Sequence, residues 1–189
     1  MASGRLEIAL PPWLDGLVDW ERRYQADEDR MRLAITLARE NVSRGAGGPF
    51  GAAIFDTDGG RLVAAGVNSV TRLGNSVLHA EIMAIMLAQH RVASFTLAAP
   101  GLPRHELVTS CEPCAMCLGA THWSGVRRLV CGASRDDALA LGFDEGPVFA
   151  ESYAYLRSRG VEVRQGVLRA EAAAVLEAYR AQGGPIYNG

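Results

Sequence analysis

A chain of 189 residues with a formal net charge of −2 is long enough for one domain with a single large core, but not for two full domains. Hydrophobic residues make up 49 % of it, which excludes a disordered chain, and no run approaches the ~20 apolar residues that a membrane span needs. A nucleic-acid partner would call for a basic stripe, and none is visible. All 19 basic residues are arginine, so Schiff-base catalysis by lysine is excluded.

The N-terminal third of the chain is predicted to begin with an extension and one long helix. Residues 1–26 form the extension, with one short helix in the apolar-periodic stretch 13–24. The spacing of apolar residues predicts a helix over 27–43, with Asp27 as its N-cap. The glycines and the proline of residues 45–49 end that helix.

The rest of the domain, residues 27–182, alternates short apolar runs with helical patterns. Strands are predicted at 50–55, 62–67, 106–110, 128–132 and 161–164, and further helices at 79–91, 114–123, 148–159 and 169–182. This order predicts a three-layer α-β-α sandwich with one mixed five-stranded sheet. The helix before the last strand implies a parallel pairing at that edge. Polar loops are expected at 68–76 and 133–147, and a C-terminal tail at 183–189.

Three of the four cysteines, Cys111, Cys114 and Cys117, lie within seven residues. The N-terminus has no apolar stretch of signal-peptide type, so we expect a cytoplasmic protein. In a reducing compartment, clustered cysteines favour a metal site or catalysis over disulfides.

Two short motifs open two of the predicted helices: His79 with Glu81, and Cys114 with Cys117 after a proline. H-x-E followed by P-C-x-x-C is the signature of zinc deaminases. Cys114 and Cys117 are spaced i, i+3, so both sulfurs leave one face of the first turn, where the helix dipole stabilises thiolates. We therefore expect His79, Cys114 and Cys117 to bind one zinc ion.

Three protein ligands leave a fourth tetrahedral position for water, as in catalytic rather than structural zinc sites. Glu81 can lie beside the metal without binding it, and is expected to move protons from the water to a ring nitrogen and the leaving amine. Cys111 is not expected to be a fourth ligand, and Cys131 is expected in the core. The remaining histidines show no partner pattern. A zinc-stabilised binding module without catalysis is the alternative of another class.

The chain resembles the cytidine-deaminase-like superfamily over residues 27–182, and within it the bacterial guanine deaminases. The shared segments are Gly47-Gly-Pro-Phe-Gly51, Asn68, His79-Ala-Glu81, Glu112-Pro-Cys-Ala-Met-Cys117, Leu118-Gly-Ala, Trp123 and Gly142-Phe-Asp-Glu145. The zinc motif is specific to the superfamily. The Gly-Phe-acid-acid segment points to guanine deaminase.

The resemblance implies roles for five further residues. Phe50 would stack on the base, Asn68 would hydrogen-bond its polar edge, and Trp123 would wall the pocket. Glu145 would be a second active-site carboxylate that accepts N–H groups of the purine or carries protons to the leaving group. The family's tail crosses to a partner subunit and closes its active site with an aromatic residue, for which Tyr187 is the candidate.

The expected activity is hydrolytic deamination of guanine to xanthine and ammonia by a homodimer, with related amino-azaheterocycles such as ammeline as further substrates. A carboxylate at Glu145 favours a base that presents N–H donors, as guanine does at N1 and N2. Deaminases of tRNA adenosine, and of free cytosine or nucleosides, share the zinc motif and are the alternatives. No nucleic-acid or membrane partner is expected.

Overall fold

A computed structural model describes residue 4 and residues 7–188. In chain order its elements are α1 (Trp13–Leu17), α2 (Asp27–Ser43), β1 (Gly51–Asp56), β2 (Leu62–Val67), α3 (Val70–Leu73), α4 (Ala80–Arg91), β3 (His105–Cys111), α5 (Ala115–Ser124), β4 (Arg128–Ala133), α6 (Arg135–Leu139), α7 (Ala150–Ser158), β5 (Glu162–Arg164) and α8 (Arg169–Ala181).

The five strands form one mixed sheet in the order β2-β1-β3-β4-β5. β1 runs antiparallel to β2 and β3, whereas β3, β4 and β5 run parallel, so the predicted parallel edge is confirmed. One hydrophobic core lies between the sheet and α2 and α8, and a second lies between the sheet and α4, α5 and α7. The three-layer α-β-α sandwich is therefore confirmed. Within the described residues, no helix is long and apolar enough to cross a membrane.

Short helices are the elements that the sequence did not predict. α3 and α6 have four and five residues and lie in stretches expected to be polar loops. A single turn is too short to show a 3.6-residue apolar period. α6 does carry a local signal, because Ser134 and Asp137 form a capping box at its start. In the extension, the helix is confined to Trp13–Leu17.

The prediction that Asp27 caps α2 is wrong: Ala26 is the N-cap, without a side-chain hydrogen bond, and Asp27 is the first helical residue. The Asp27 carboxylate instead accepts two 2.6 Å hydrogen bonds from Arg128, at the start of β4, and a further one from Arg164. Arg128 also donates to the fully buried Glu106 at 2.7 Å. An ion-pair network thus ties the start of α2 to the strands β3, β4 and β5.

Replacing Asp27 with asparagine is expected to lower the free energy of unfolding at pH 7 by about 2 kcal/mol, between the values for exposed and buried ion pairs. The hydrogen bond from Arg128 lowers the pKa of Asp27. Its contribution is therefore complete above the unfolded-state pKa of about 3.9 and is lost as the pH falls through the lower folded-state pKa. Urea unfolding at several pH values between 7 and 3 measures the difference.

The matched control is Asp29→Asn, since Asp29 lies in the same helical turn but has a 38 % exposed side chain. We expect a smaller loss of stability for this control. Equal losses in the two variants, or a difference that persists unchanged at pH 3, would contradict the role given to the network.

Candidate active site

Three metal-ligating side chains meet where α4 and α5 begin. His79 and Cys114 are the N-cap residues of the two helices, and Cys117 lies in the first turn of α5. The sulfurs of Cys114 and Cys117 lie 3.6 and 3.7 Å from Nδ1 of His79. The ligand atoms of all three residues lie within 4.8 Å of one another. Two sulfurs and one imidazole nitrogen at this spacing fit a tetrahedral zinc ion, and these residues would hold it.

At both helix starts, the backbone conformation directs the side chain toward the metal site and not into a helix cap. His79 and Cys114 have extended backbones, with ψ of 159° and 173°, and neither side chain makes a capping hydrogen bond. Their side chains can therefore converge on a metal. The hydrogen bond between the two thiols lowers the pKa of Cys114 to about 4 and raises the pKa of Cys117, so one of the two ligands is favoured as a thiolate before a metal binds.

Cys111 and Cys131 lie outside this group of ligands. The Cys111 sulfur lies 3.6 Å from the carbonyl oxygen of Ser134, and the residue is buried at the end of β3. Cys131 is fully buried in β4. Among the residues that the structure describes, the cluster of three or more possible ligands consists of His79, Cys114 and Cys117, which leaves a fourth position for a non-protein ligand.

A cavity of about 480 Å³ opens at these ligands. It is lined by two ligands, His79 and Cys114, and by Phe50, Val70, Ser76, Glu81, Glu112, Ala115, Met116, Phe143, Asp144, Glu145, Gly146, Tyr187 and Asn188. Burial raises the pKa of Glu81. Burial, followed by the charges of Cys114 and Glu81, raises the pKa of Glu145 to about 8. Carboxyl groups with raised pKa values in a cleft are suited to proton transfer.

The sequence around Glu145 also fits an ordinary surface turn, yet Glu145 is only 7 % exposed. Its backbone explains this placement, because the Glu145 carbonyl oxygen accepts a 3.0 Å hydrogen bond from the amide of Ala115, the first residue of α5. The loop is thereby anchored beside Cys114. The two carboxyl groups predicted to be catalytic, Glu81 and Glu145, both line the one cavity.

Aromatic rings form one wall of the cavity. Phe50 and Tyr187 both pack edge-on against Phe143, with ring centroids 5.1 and 5.2 Å apart. The Tyr187 hydroxyl is buried without a hydrogen-bond partner in the described structure. The tail thus lies against the cavity of its own subunit, and the expected exchange with a partner subunit stays a prediction.

Two of the expected substrate-binding residues do not line the cavity. Asn68 is fully buried next to it: its Oδ1 accepts a hydrogen bond from the amide of Val70 at 3.3 Å, and its Nδ2 has no partner among the described residues. Trp123 corrects an expectation, because its side chain is 78 % exposed and borders neighbouring grooves instead. The reason is helical geometry: Trp123 is six residues, or about 1.7 turns, beyond Cys117, near the end of α5 and away from the ligands.

Asn188 is a site residue that the sequence did not reveal. Its Nδ2 donates to the carbonyl oxygen of Gly142 at 2.9 Å, and its Oδ1 accepts from the amide of Asp144 at 2.8 Å. These bonds fasten the tail to the loop that carries Glu145. An asparagine in a glycine-rich tail gives no signal of a partner 46 residues away.

Known proteins share this arrangement. Residues 24–133 match the family model described as the cytidine and deoxycytidylate deaminase zinc-binding region, which includes the three ligands and Glu81. The guanine deaminase of Bacillus subtilis is 41 % identical over 124 residues, which cover 66 % of this chain and 75 % of that protein.

Solved structures extend the similarity to nearly the whole chain. The guanine deaminase from Nitrosomonas europaea superimposes with a TM-score of 0.91 at 46 % identity, over 96 % of this chain and 99 % of that one. A variant of NE0047 in complex with 8-azaguanine gives the same TM-score and identity over 96 % and 100 % of the two chains. With its three zinc ligands and its neighbouring glutamate in place, the chain belongs to the cytidine and deoxycytidylate deaminase family of zinc-dependent hydrolases.

Proposed function

We propose that the chain converts guanine and water to xanthine and ammonia. The observation that carries this proposal is the pair of buried carboxyl groups, Glu81 and Glu145, in one cavity with His79 and Cys114. One carboxyl group is needed to transfer protons, and the second is free to bind a base. The guanine deaminases among the relatives support the choice of base.

Three groups in or beside the cavity suit the chemistry of guanine. In its ionised form, which the positive charge of a bound zinc ion would favour, Glu145 offers carboxylate oxygens to the N1–H and the 2-amino group, both of which are donors. Phe50 offers a ring for stacking on the purine face. Asn68 holds an unpartnered amide Nδ2 beside the cavity, which is a donor for the acceptor atoms of the same base. Cytosine presents fewer donors, so Glu145 would be less satisfied with it.

The proton steps follow from the position of Glu81. When bound, zinc acts as a Lewis acid that makes a water molecule nucleophilic near neutral pH. The water oxygen attacks C2 of guanine while Glu81 takes a proton from the water. Glu81 passes this proton to N3. Glu81 then transfers the remaining proton of the added hydroxyl group to the 2-amino group. The bond between C2 and this exocyclic nitrogen breaks, ammonia leaves, and the oxygen stays on C2 as a carbonyl group of xanthine. Accepting and then donating a proton in this way suits a carboxyl group whose pKa is raised by burial, as that of Glu81 is.

Ammonia release from a panel of substrates tests the proposal. Purified protein with one zinc per chain is offered guanine, ammeline, cytosine, cytidine and an adenosine-containing tRNA stem-loop. We expect release from guanine, with weaker release from ammeline. Ammonia from cytosine alone, or from the stem-loop alone, would replace the proposed substrate by one of the alternatives. The net charge of −2 already disfavours an RNA substrate.

We further propose that the protein is a cytoplasmic homodimer that associates through the outer surface of α4, α5 and α7. Two grooves of about 510 and 500 Å³ lie on either side of Trp123. Exposed apolar side chains, including Phe95 and Tyr155, surround the two grooves. Among the described residues that line the grooves, Glu151 is the single acidic residue, and there is no lysine or arginine. A face of this composition can meet a second copy of itself without charge repulsion.

Replacing Trp123 with glutamate is expected to produce monomers, because a charge would be buried at the centre of the face. Sedimentation velocity at micromolar concentration measures the change against the wild-type dimer. Leu139→Glu is the control, since Leu139 is a partly exposed apolar residue on α6, outside both grooves. A dimeric Trp123→Glu protein would exclude this face, and a monomeric wild type would exclude the homodimer.

A further inference from the structure

Asn41 is a fully buried polar residue in the last turn of α2, outside the lining of the cavity. Its Nδ2 donates two hydrogen bonds of 2.9 Å, one to the carbonyl oxygen of Gly48 and one to that of Asn68. Because both partners are acceptors, they fix which end of the amide is the nitrogen. One side chain therefore joins two segments that are 20 residues apart in sequence.

These two segments carry the groups proposed to hold the base. The Gly48 carbonyl oxygen also accepts from the amide of Phe50 at 2.9 Å, and the Phe50 carbonyl oxygen accepts from the amide of Asn68 at 3.0 Å. Asn41, Phe50 and Asn68 thus form one hydrogen-bonded frame. The position of the stacking ring relative to the Asn68 side chain depends on that frame.

The backbone around Asn41 is closely packed. A Cβ on Gly47 would overlap the carbonyl oxygen of Asn68 and would lie 2.8 Å from Nδ2 of Asn41. An apolar side chain of similar size at position 41 would leave both carbonyl oxygens without this donor, and aspartate would direct negative charge at them.

The other half of the Asn41 amide shows that this arrangement is costly. Its Oδ1 is buried and has no hydrogen-bond partner in the described part of the chain. An unpartnered buried polar atom loses most of the stability that two hydrogen bonds supply. The two donated bonds reach carbonyl oxygens of two different segments, so they fix the relative position of these segments.

We infer that Asn41 is a positioning residue for the nucleobase: it sets the spacing between Phe50 and the Asn68 amide. The inference rests on the proposed function, because it assumes that these two groups contact the base. It extends that function to a residue that touches neither the substrate nor the metal ligands.

The test is Asn41→Ala, measured as KM and kcat for guanine together with the Kd of 8-azaguanine and the zinc content. We expect KM and Kd to rise roughly tenfold, which corresponds to the loss of about one net hydrogen bond to the base. The value of kcat should change much less, and zinc should stay at one per chain. Asn41→Ser keeps one donor and should give an intermediate KM.

Ser124→Ala is the matched control. Ser124 is also buried, and its Oγ makes two hydrogen bonds, to the carbonyl oxygen of Thr121 and from the amide of Val126, at the far end of α5. This variant should lose similar stability with unchanged KM. If Asn41→Ala does not fold, the comparison is made with Asn41→Ser.

Two outcomes overturn the inference: an unchanged KM and Kd in the Asn41 variants, or an equal rise in Ser124→Ala. Failure of the proposed function would look different, because the wild type itself would then release no ammonia from guanine. In that case the Kd of 8-azaguanine in wild type and variants still reports whether Asn41 shapes the pocket.

Discussion

Replacing Glu81 with alanine is expected to lower kcat for guanine by roughly four orders of magnitude, the upper end for the loss of general acid–base catalysis. Glu81 is buried beside His79 and is proposed to carry both protons of the reaction. It is not one of the three ligands, so zinc content should stay at one per chain. Steady-state ammonia release and metal analysis on the same preparation measure the two quantities.

Glu112→Gln is the control for this variant. Glu112 also lines the cavity, but both of its carboxylate oxygens accept hydrogen bonds, at 3.0 Å from the amide of Arg135 and at 2.7 Å from Gln165. These bonds give Glu112 a structural role. Glutamine keeps an acceptor for the Arg135 amide, and the Gln165 amide can turn its oxygen toward the new NH2 group, so this variant should keep most of the rate. If Glu81→Ala retained both zinc and full turnover, the catalytic assignment would be wrong, and a zinc-stabilised binding module would become the better description.

Replacing Glu145 with alanine is expected to lower kcat/KM for guanine by roughly 10²- to 10³-fold with zinc retained. The carboxyl group is buried in the cavity and is proposed to receive the donors of the purine. Its removal would leave the N1–H and the 2-amino group of the bound base unpaired, and unpaired buried donors are costly. Initial rates over a range of guanine concentrations measure the effect.

The neighbouring acid provides the comparison. Asp144 is exposed, and its Oδ1 accepts a 2.8 Å hydrogen bond from the amide of Gly146, which shapes the turn. Asp144→Asn keeps that acceptor and should leave kcat/KM near the wild-type value. An unaltered rate in Glu145→Ala would make Glu145 a loop residue and would remove the main reason for preferring guanine over other bases.

The elements with long apolar patterns were predictable from the sequence. The expected helix over 27–43 and the expected strand over 62–67 coincide with α2 (Asp27–Ser43) and β2 (Leu62–Val67). Nine of the 17 residues of α2 are buried, on the face that its apolar period marks, and all six residues of β2 are buried, as expected for a short continuous apolar run. The role of Asp27 was not predictable, because its partner Arg128 is 101 residues away and ion pairing leaves no local pattern.

At the site, too, residues with a local sequence pattern were predictable, and residues placed by contacts between distant segments were not. The ligands and Glu81 were recognisable because their spacing is fixed within two helix starts. The positions of Trp123 and Asn188 depend on how whole elements pack, so no spacing along the chain could give them. Asn41 belongs to the same group, since its two acceptors come together only after β1 and β2 have paired and packed against α2.

The two helix starts carry a stability cost that follows from their function. Serine, threonine, aspartate or asparagine at positions 79 and 114 would cap α4 and α5, typically stabilising each by about 1 kcal/mol relative to an uncapped end. Histidine and cysteine leave both ends without a side-chain cap. The domain therefore gives up part of its intrinsic stability at its reaction centre, and its resistance to heat should rise and fall with the free concentration of the metal that these residues retain.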